Sequence, residues 1–270
     1  MLRHGRALIA LMLFAVAGGA TAEVVDPALA AVLAGPQRSA ASKARDVYRH
    51  PAGTLAFFGV KPDQTVVEML PGEGWYTEIL APYLRDRGKL VAVGFPPDSP
   101  NEYMRKRRAE YAQKLAADPA SYGKVEVRAM SAEQVDLGAP ASADVVLNFR
   151  NTHNWIRRGQ FDSAYKAIYT VLKPGGVLGI EQHRAAPDAD PKVAAESGYV
   201  PEAWLIKELG RLGFEFAGKS EVNANPKDTR DHPKGVWTLP PSYALGATDH
   251  DKYAAIGESD RMTLKFVKPK

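Results

Sequence analysis

The chain has 270 residues, 45% hydrophobic and 24% charged, which is enough for a sizeable core and unlike a disordered or collagenous chain. Lys and Arg number 35 against 31 Asp and Glu, a formal +4, so nothing suggests a nucleic-acid partner recognised through bulk charge. Cysteine is absent, which excludes disulfides, thiolate nucleophiles, Cys-ligated zinc and iron–sulfur clusters.

Residues 1–22 read as an address. A basic start with Arg3 and Arg6 precedes an apolar run from Ala7 to Ala17, and small residues lead to Ala20-Thr21-Ala22, an A-x-A cleavage pattern. The apolar run is short of the roughly 20 residues of a membrane span. The pattern predicts a secretory signal peptide cleaved after Ala22 and a periplasmic or otherwise exported protein without stable membrane insertion. Residues 23–58 are expected to form an Ala-rich helical segment or lid. In it, Asp26 to Lys43 predicts one or two short helices, and Thr54 to Phe58 another that stops near Gly59.

From residue 59 to 270 strands and helices alternate. Thr65 to Met69 is β-rich after the turn formers Pro62-Asp63. Trp75 to Leu84 has helical spacing, Lys89 to Val93 reads as a second strand, and Asn101 to Ala117 as a charged helix. Lys124 to Met130 and Ala143 to Phe149 follow as strands, then a helix from Gln160 to Leu172. Lys173-Pro174-Gly175-Gly176 breaks that helix and opens a strand, Val177 to Glu181. Pro201 to Leu212 is helical, and Phe214 to Ser220 and Arg261 to Lys268 are the last strands. The alternation predicts an α/β, doubly wound, mostly parallel sheet with helices on both faces. Residues 221–260, rich in Pro, Asn, Asp and Gly, are too long for an ordinary connection and predict a functional excursion or a partly mobile loop.

The central signal is VVEMLPGEGWYTEIL, Val66 to Leu80: a strand ending in an acid, then Gly-x-Gly opening a helix. In doubly wound folds ligands bind beyond the carboxyl ends of the strands, and glycines let the backbone approach them. With LKPGG before the fifth strand, this resembles the class I S-adenosylmethionine-dependent methyltransferases. The wider pattern of RDVYRHP, VVEMLPGEGWYTEILAPYL, NFRNTHNW, LKPGG and IGESDRM is similar to a bacterial family of exported predicted methyltransferases. The resemblance implies a Rossmann-like seven-stranded sheet with an antiparallel last strand, S-adenosylmethionine as cofactor, and Glu68, Gly72 and Gly74 around its methionine end. Two departures stand out. Leu70 takes the place of the motif's first Gly, so the turn is expected to be shaped differently there. The second strand ends Val93-Gly94-Phe95-Pro96, without the acid that usually binds the ribose. Phe95 is expected against adenine, Asp98 near the ribose, and Ser131 at an adenine-contacting position. A dinucleotide site, the competing reading, wants a third Gly or Ala where Thr77 stands.

Polar clusters fall where the strands should end. Asn148 and Arg150 in NFRNTHNW, with Tyr48 and His50 in RDVYRHP, are the candidate substrate-binding residues, and Arg49 could join them in a lid. Asn151 could instead cap a helix with Trp155 buried beneath it. His153 and His183 are the candidate catalytic residues, since imidazole titrates near neutrality. Arg184 suits an acidic group of a substrate or a surface carboxylate. Asp228 to Pro233 and Gly257 to Arg261 bracket the 221–260 excursion and could both return to the pocket mouth, with Asp260 and Arg261 suited to a structural ion pair. The six histidines show no metal-binding spacing, so no metal is expected. The reading is an exported methyltransferase acting on a small molecule, the alternative a periplasmic binding protein that keeps the fold without the reaction. No oligomeric state follows from the sequence.

Overall fold

The computed structural model describes residues 26–131 and 135–270; the expected signal peptide lies outside them. Four short helices come first: α1 (Pro27–Ala34), α2 (Ala40–Ala44), α3 (Asp46–Arg49) and α4 (Pro51–Phe58). Asp26 caps α1 by accepting the Ala28 N–H, and Gly59 ends α4 in the left-handed conformation. Next come β1 (Thr65–Met69), α5 (Thr77–Leu84), β2 (Lys89–Gly94), α6 (Glu102–Ala117), α7 (Pro119–Tyr122), β3 (Glu126–Ala129) and β4 (Ala143–Phe149). The second half holds α8 (Thr152–Arg157), α9 (Phe161–Val171), β5 (Leu172–His183), α10 (Pro191–Glu196), α11 (Glu202–Arg211), β6 (Glu215–Ser220), α12 (His250–Ile256) and β7 (Arg261–Val267).

The seven strands form one sheet in the order β3-β2-β1-β4-β5-β7-β6. Pairing is parallel from β3 to β5, and β7 runs antiparallel between β5 and β6. Alternation along the strands feeds two core layers. Val67, Met69, Val91 and Val146 face Trp155, Tyr165, Ile168, Leu205 and Leu209 of α8, α9 and α11. Val66, Val145 and Leu147 face Leu29, Leu55, Phe58, Ile79 and Leu80 of α1, α4 and α5. The N-terminal segment expected as a lid therefore contributes to the core itself.

Two expectations change in detail. Lys173 to Gly176 does not precede β5 but bulges out of it: the partner of β4 jumps from Leu172 to Val177 while β4 advances only from Ala143 to Val145. The 221–260 segment is pinned rather than loose. Asp228, 2% exposed, accepts from the Tyr199 hydroxyl at 3.0 Å and the Asp260 N–H at 2.8 Å. Asn223 donates to Thr54 Oγ1 and Thr263 Oγ1 at 2.8 and 3.0 Å.

The approach of α4 to the sheet depends on Gly179, where an added Cβ would lie 2.6 Å from Cγ of Phe58. Phe58 has no exposed surface and cannot swing away. Gly179→Ala should destabilise the fold by about 1–3 kcal/mol, the usual cost of overpacking, read as a lowered urea midpoint with an unchanged slope.

Candidate active site

The last residues of β1, β4 and β5, Met69, Phe149 and His183, open into a cleft of about 970 Å³. At one end lies the glycine turn. Leu70, Gly72 and Gly74 all have positive φ, +45°, +61° and +77°. Leu70 thus enters a conformation that costs a non-glycine residue about 1–2 kcal/mol, and its N–H is tied to the Val93 carbonyl at 2.8 Å. The departure from glycine appears as local strain, a common feature of ligand-binding turns. Nothing stands within 4 Å of the place a Cβ on Gly72 would take, so the backbone there is open to a ligand.

Glu68, at the end of β1, is 2% exposed. Thr77 Oγ1 donates to its Oε2 at 2.6 Å. Burial raises its pKa and the Thr77 hydrogen bond pulls back only in part, leaving it at about 7. Beyond Gly72 the cleft continues into a lobe of about 180 Å³ at the end of β2, walled by Gly94, Phe95 and Tyr111 with the arginines 107, 108 and 158. The cradle at Gly72, the buried acid behind it and the lobe flanked by Phe95 fit a nucleoside attached to an amino-acid chain. Among the described residues no carboxylate lines that lobe, and β2 ends without the acid, as the sequence indicates.

The other end of the cleft is built around Glu181 of β5, which has no exposed surface. Its Oε1 accepts from Arg150 Nη1 at 2.6 Å and Arg261 Nη1 at 3.0 Å, and its Oε2 from the Tyr76 hydroxyl at 3.0 Å. Burial alone would raise this carboxyl, but Arg150, Arg261 and Arg49 hold it below its ordinary range. Glu258 is arranged likewise: burial opposes ionisation, yet Arg261 and Arg49 bring it to about 2. Its oxygens accept from Arg45 Nε at 2.7 Å and Arg49 Nε at 3.3 Å.

Both candidate histidines line the cleft, 5.8 Å apart between ring centres. Burial pushes His153 down to about 4 against the pull of Gln182, and burial followed by His153 and Arg150 pushes His183 well below its ordinary value. Both are neutral at physiological pH. Gln182 Nε2 donates to the Gly198 carbonyl at 2.9 Å, which fixes that atom as the amide nitrogen and hence as the donor to His153 Nδ1 at 3.3 Å. His153 therefore presents Nε2–H to its surroundings. His183 Nδ1 meets Ser259 Oγ at 2.5 Å, and the hydroxyl can serve either tautomer.

The structure brings Glu68, Gly72, Arg150, His153 and His183 to one cleft and Phe95 to its second lobe; Gly74 completes the turn, facing Tyr111 and Lys114. Asn148 requires correction: it has no exposed surface, and Nδ2 donates to Thr152 Oγ1 and the Tyr165 hydroxyl, holding α8 and α9 on the sheet. Tyr48 and His50 also stay off the cleft wall. The Tyr48 carbonyl accepts from Arg261 Nη2, while His50 adopts φ +38° at the start of α4, its ring near Asn223. Their neighbours Arg45 and Arg49 line the cleft instead. Ser131 and Asp98 lie outside the walls of both lobes. Asn151 stands at the N-cap of α8 but sends Nδ2 to the Met69 and Phe149 carbonyls, and Trp155 is buried as expected. Arg184 pairs with Glu202, Glu221 and Asp260. Arg261 pairs with the two buried glutamates rather than with Asp260. Sequence reasoning missed Trp75, Tyr76, Glu181 and Trp237, of which only Glu181 had a signal, in the E-Q-H ending of β5; Glu258 and Ser259, from the segment Gly257 to Arg261 expected to return to the pocket mouth, line the cleft.

The sheet order, the antiparallel β7 and the cradle after β1 together define the class I methyltransferase fold. Residues 67–180 match the family described as a methyltransferase domain. Among solved structures, the chain is similar to a SAM-dependent methyltransferase from Aquifex aeolicus, with 16% identity over 83% of this chain and 93% of that one and a TM-score of 0.55. It is similar to the [4+2]-cyclase SpnF at 18% identity, 90% and 92% coverage and a TM-score of 0.55. It is also similar to a possible exported protein from Bordetella parapertussis at 16% identity, 84% and 68% coverage and a TM-score of 0.50. No curated protein matches the chain. The chain thus carries a methyltransferase domain on the class I fold, in the enzyme class whose cofactor is S-adenosylmethionine.

The carboxyl of Glu68 supplies a pH test. In the unfolded chain it ionises near 4.5; in the folded protein it holds its proton to about 7. The stabilisation is complete below the lower value and is lost as pH rises through the higher one. Glu68→Gln keeps a neutral acceptor for Thr77 and escapes that loss. Its urea midpoint should rise relative to the parent between about pH 5 and about pH 8, with the difference vanishing at the acid end.

Proposed function

We propose that this protein is an exported methyltransferase that methylates a small molecule bound between Arg150, His153, His183 and Trp237. The observation that carries the reading is one continuous cleft with an open glycine cradle at Gly72 and two neutral histidines beyond it. Trp237, from a short 3₁₀ turn at Gly235–Thr238, stands edge-on to His153 at 5.8 Å and narrows the acceptor end, which favours a small acceptor. Export is supported by the leader pattern of residues 1–22 and by the likeness to a possible exported protein.

Leu70 to Gly74 and Glu68 would hold the methionine end, and Phe95 would flank the adenine. When bound, S-adenosylmethionine supplies a methyl group on a sulfonium: the acceptor's lone pair forms the new bond to carbon as the carbon–sulfur bond breaks to a neutral thioether. The protein's part is chiefly alignment. Arg150, fixed by Glu181, and His153, fixed by Gln182, position the acceptor. His183, held by Ser259, takes the proton that the acceptor releases. Its low basicity suits an acceptor that loses the proton only as the new bond forms.

The absence of an acid after β2 favours a second reading, a binding protein that retains the fold, and the likeness to a cyclase shows that this fold is not confined to methyltransferases. Calorimetry with S-adenosylhomocysteine separates the two. The methyltransferase reading expects a micromolar dissociation constant, abolished by Gly72→Arg, whose side chain would fill the open space. A folded protein that does not bind refutes it. Once an acceptor is known, His183→Asn should lower kcat by about 100-fold or more, the scale of general-base catalysis, while S-adenosylhomocysteine affinity stays unchanged.

A further inference from the structure

The acceptor end carries more positive charge than its ion pairs need. Four guanidinium groups, on Arg45, Arg49, Arg150 and Arg261, face two carboxylates, Glu181 and Glu258, an excess of two positive charges. Arg49, Arg261 and both glutamates are more than nine-tenths buried. Both carboxylates are fully engaged: each of their oxygens already accepts from an arginine or from Tyr76. The two histidines are neutral and offset nothing. Glu68 stands by the glycine turn and is engaged by Thr77.

The four arginines are not alike. Arg261 is 1% exposed and consumed by structure: Nη1 serves both glutamates, Nη2 the Tyr48 carbonyl and Nε the Ser259 carbonyl. The other three line the cleft. Among the described residues, Arg45 and Arg49 each make one side-chain hydrogen bond, through Nε, and Arg150 one, through Nη1. The Nη1/Nη2 forks of Arg45 and Arg49 are unused, and the Arg49 guanidinium lies 4.7 Å over the Trp75 ring, which fixes its plane. A planar fork held in place with its outer N–H groups free is the recognition element for a carboxylate or phosphate.

We propose that the methyl acceptor is a small molecule bearing an oxyanion, a carboxylate or a phosphate, gripped by Arg45, Arg49 and Arg150 while its nucleophile faces His183. The proposal rests on the methyltransferase reading of the same cleft and adds the acceptor's charge. The oxyanion would relieve the repulsion among the arginines and complete their hydrogen bonds. A neutral or cationic acceptor would leave both unmet.

Malonate and inorganic phosphate are the probes, titrated by calorimetry into protein saturated with S-adenosylhomocysteine. 5′-Methylthioadenosine, which lacks the amino-acid carboxylate, is measured alongside. At least one probe should bind the parent protein, and Arg49→Gln and Arg45→Gln should each weaken it by about tenfold or more, the scale of a lost charge-assisted hydrogen bond. S-adenosylhomocysteine should bind these variants as it binds the parent. Arg45 is the more exposed of the two, so its variant supplies the result if Arg49→Gln fails to fold. A preference for malonate or phosphate names the oxyanion. If neither probe binds while S-adenosylhomocysteine does, the proposal fails and the methyltransferase reading stands. If the variants reduce S-adenosylhomocysteine to the affinity of 5′-methylthioadenosine, the arginines hold the cofactor's own carboxylate and the proposal is overturned. If the probes bind and S-adenosylhomocysteine does not, both readings fall.

Discussion

The site depends on one buried carboxylate. Glu181 sits inside the sheet, without exposed surface, and an ion there is tolerated only when its lone pairs are met. Its partners come from three other parts of the chain: Arg150 from the exit of β4, Arg261 from the start of β7, and Tyr76 from the approach to α5. The Arg150 backbone is caught as well, its N–H donating to the Glu181 carbonyl at 2.7 Å with φ at +62°. Tyr76 stacks on Phe149 with ring centres 3.5 Å apart. The glycine turn, the β4 loop and the last strand are thereby locked to one atom group. A cleft assembled from such distant segments keeps its shape because this carboxylate gives each of them the same anchor.

The same arrangement sets the chemistry. Arginines gathered round Glu181 and Glu258 leave a positive field at that end of the cleft, and that field joins burial in keeping His183 unprotonated. It also lowers Arg49, first by burial and then by Arg150, to about 9. The Trp75 ring lies 4.7 Å from the Arg49 guanidinium and 5.1 Å from that of Arg38, which is itself paired with Asp46, so the ring helps to hold the charge of Arg49. Neutral imidazoles and under-neutralised arginines in one cleft are two consequences of one charge distribution.

Most of the fold was legible because its signals are local. Thr65 to Met69 and Ala143 to Phe149 have β-branched or alternating apolar patterns bounded by turn formers, and both strands occur where the pattern ends. Asn101 caps α6 as its position before the charged run suggests. The short helices α3, α7, α8 and α10 have no apolar period long enough to read. In the site, residues tied to a strand end were legible: Glu68, Arg150, His153 and His183. Tyr48, His50 and Asn148 were not, because which face of a short helix or strand points to the cleft is decided by packing. The cleft takes Arg45 and Arg49 from the same motif and leaves Tyr48 and His50 outside. Glu258 and Ser259 were legible only as part of the polar segment that closes the excursion, and the Asp228 and Asn223 anchors of that excursion hold the segment at the site.

The two departures from the family motif, Leu70 and Gly94, meet in the smaller lobe. Gly94 stands where the ribose acid would be, and a Cβ there would touch Cδ of Arg108 at 3.6 Å. Among the described residues the lobe's wall holds three arginines and no carboxylate, so an acid introduced at position 94 would meet guanidinium groups. What that lobe offers a ligand is the Phe95 ring, the three guanidinium groups and the open backbone of the strained turn at Leu70 and Gly72. Leu70 keeps its positive φ because its N–H is tied to Val93, and the cost of that strain is borne by the sheet rather than by the ligand.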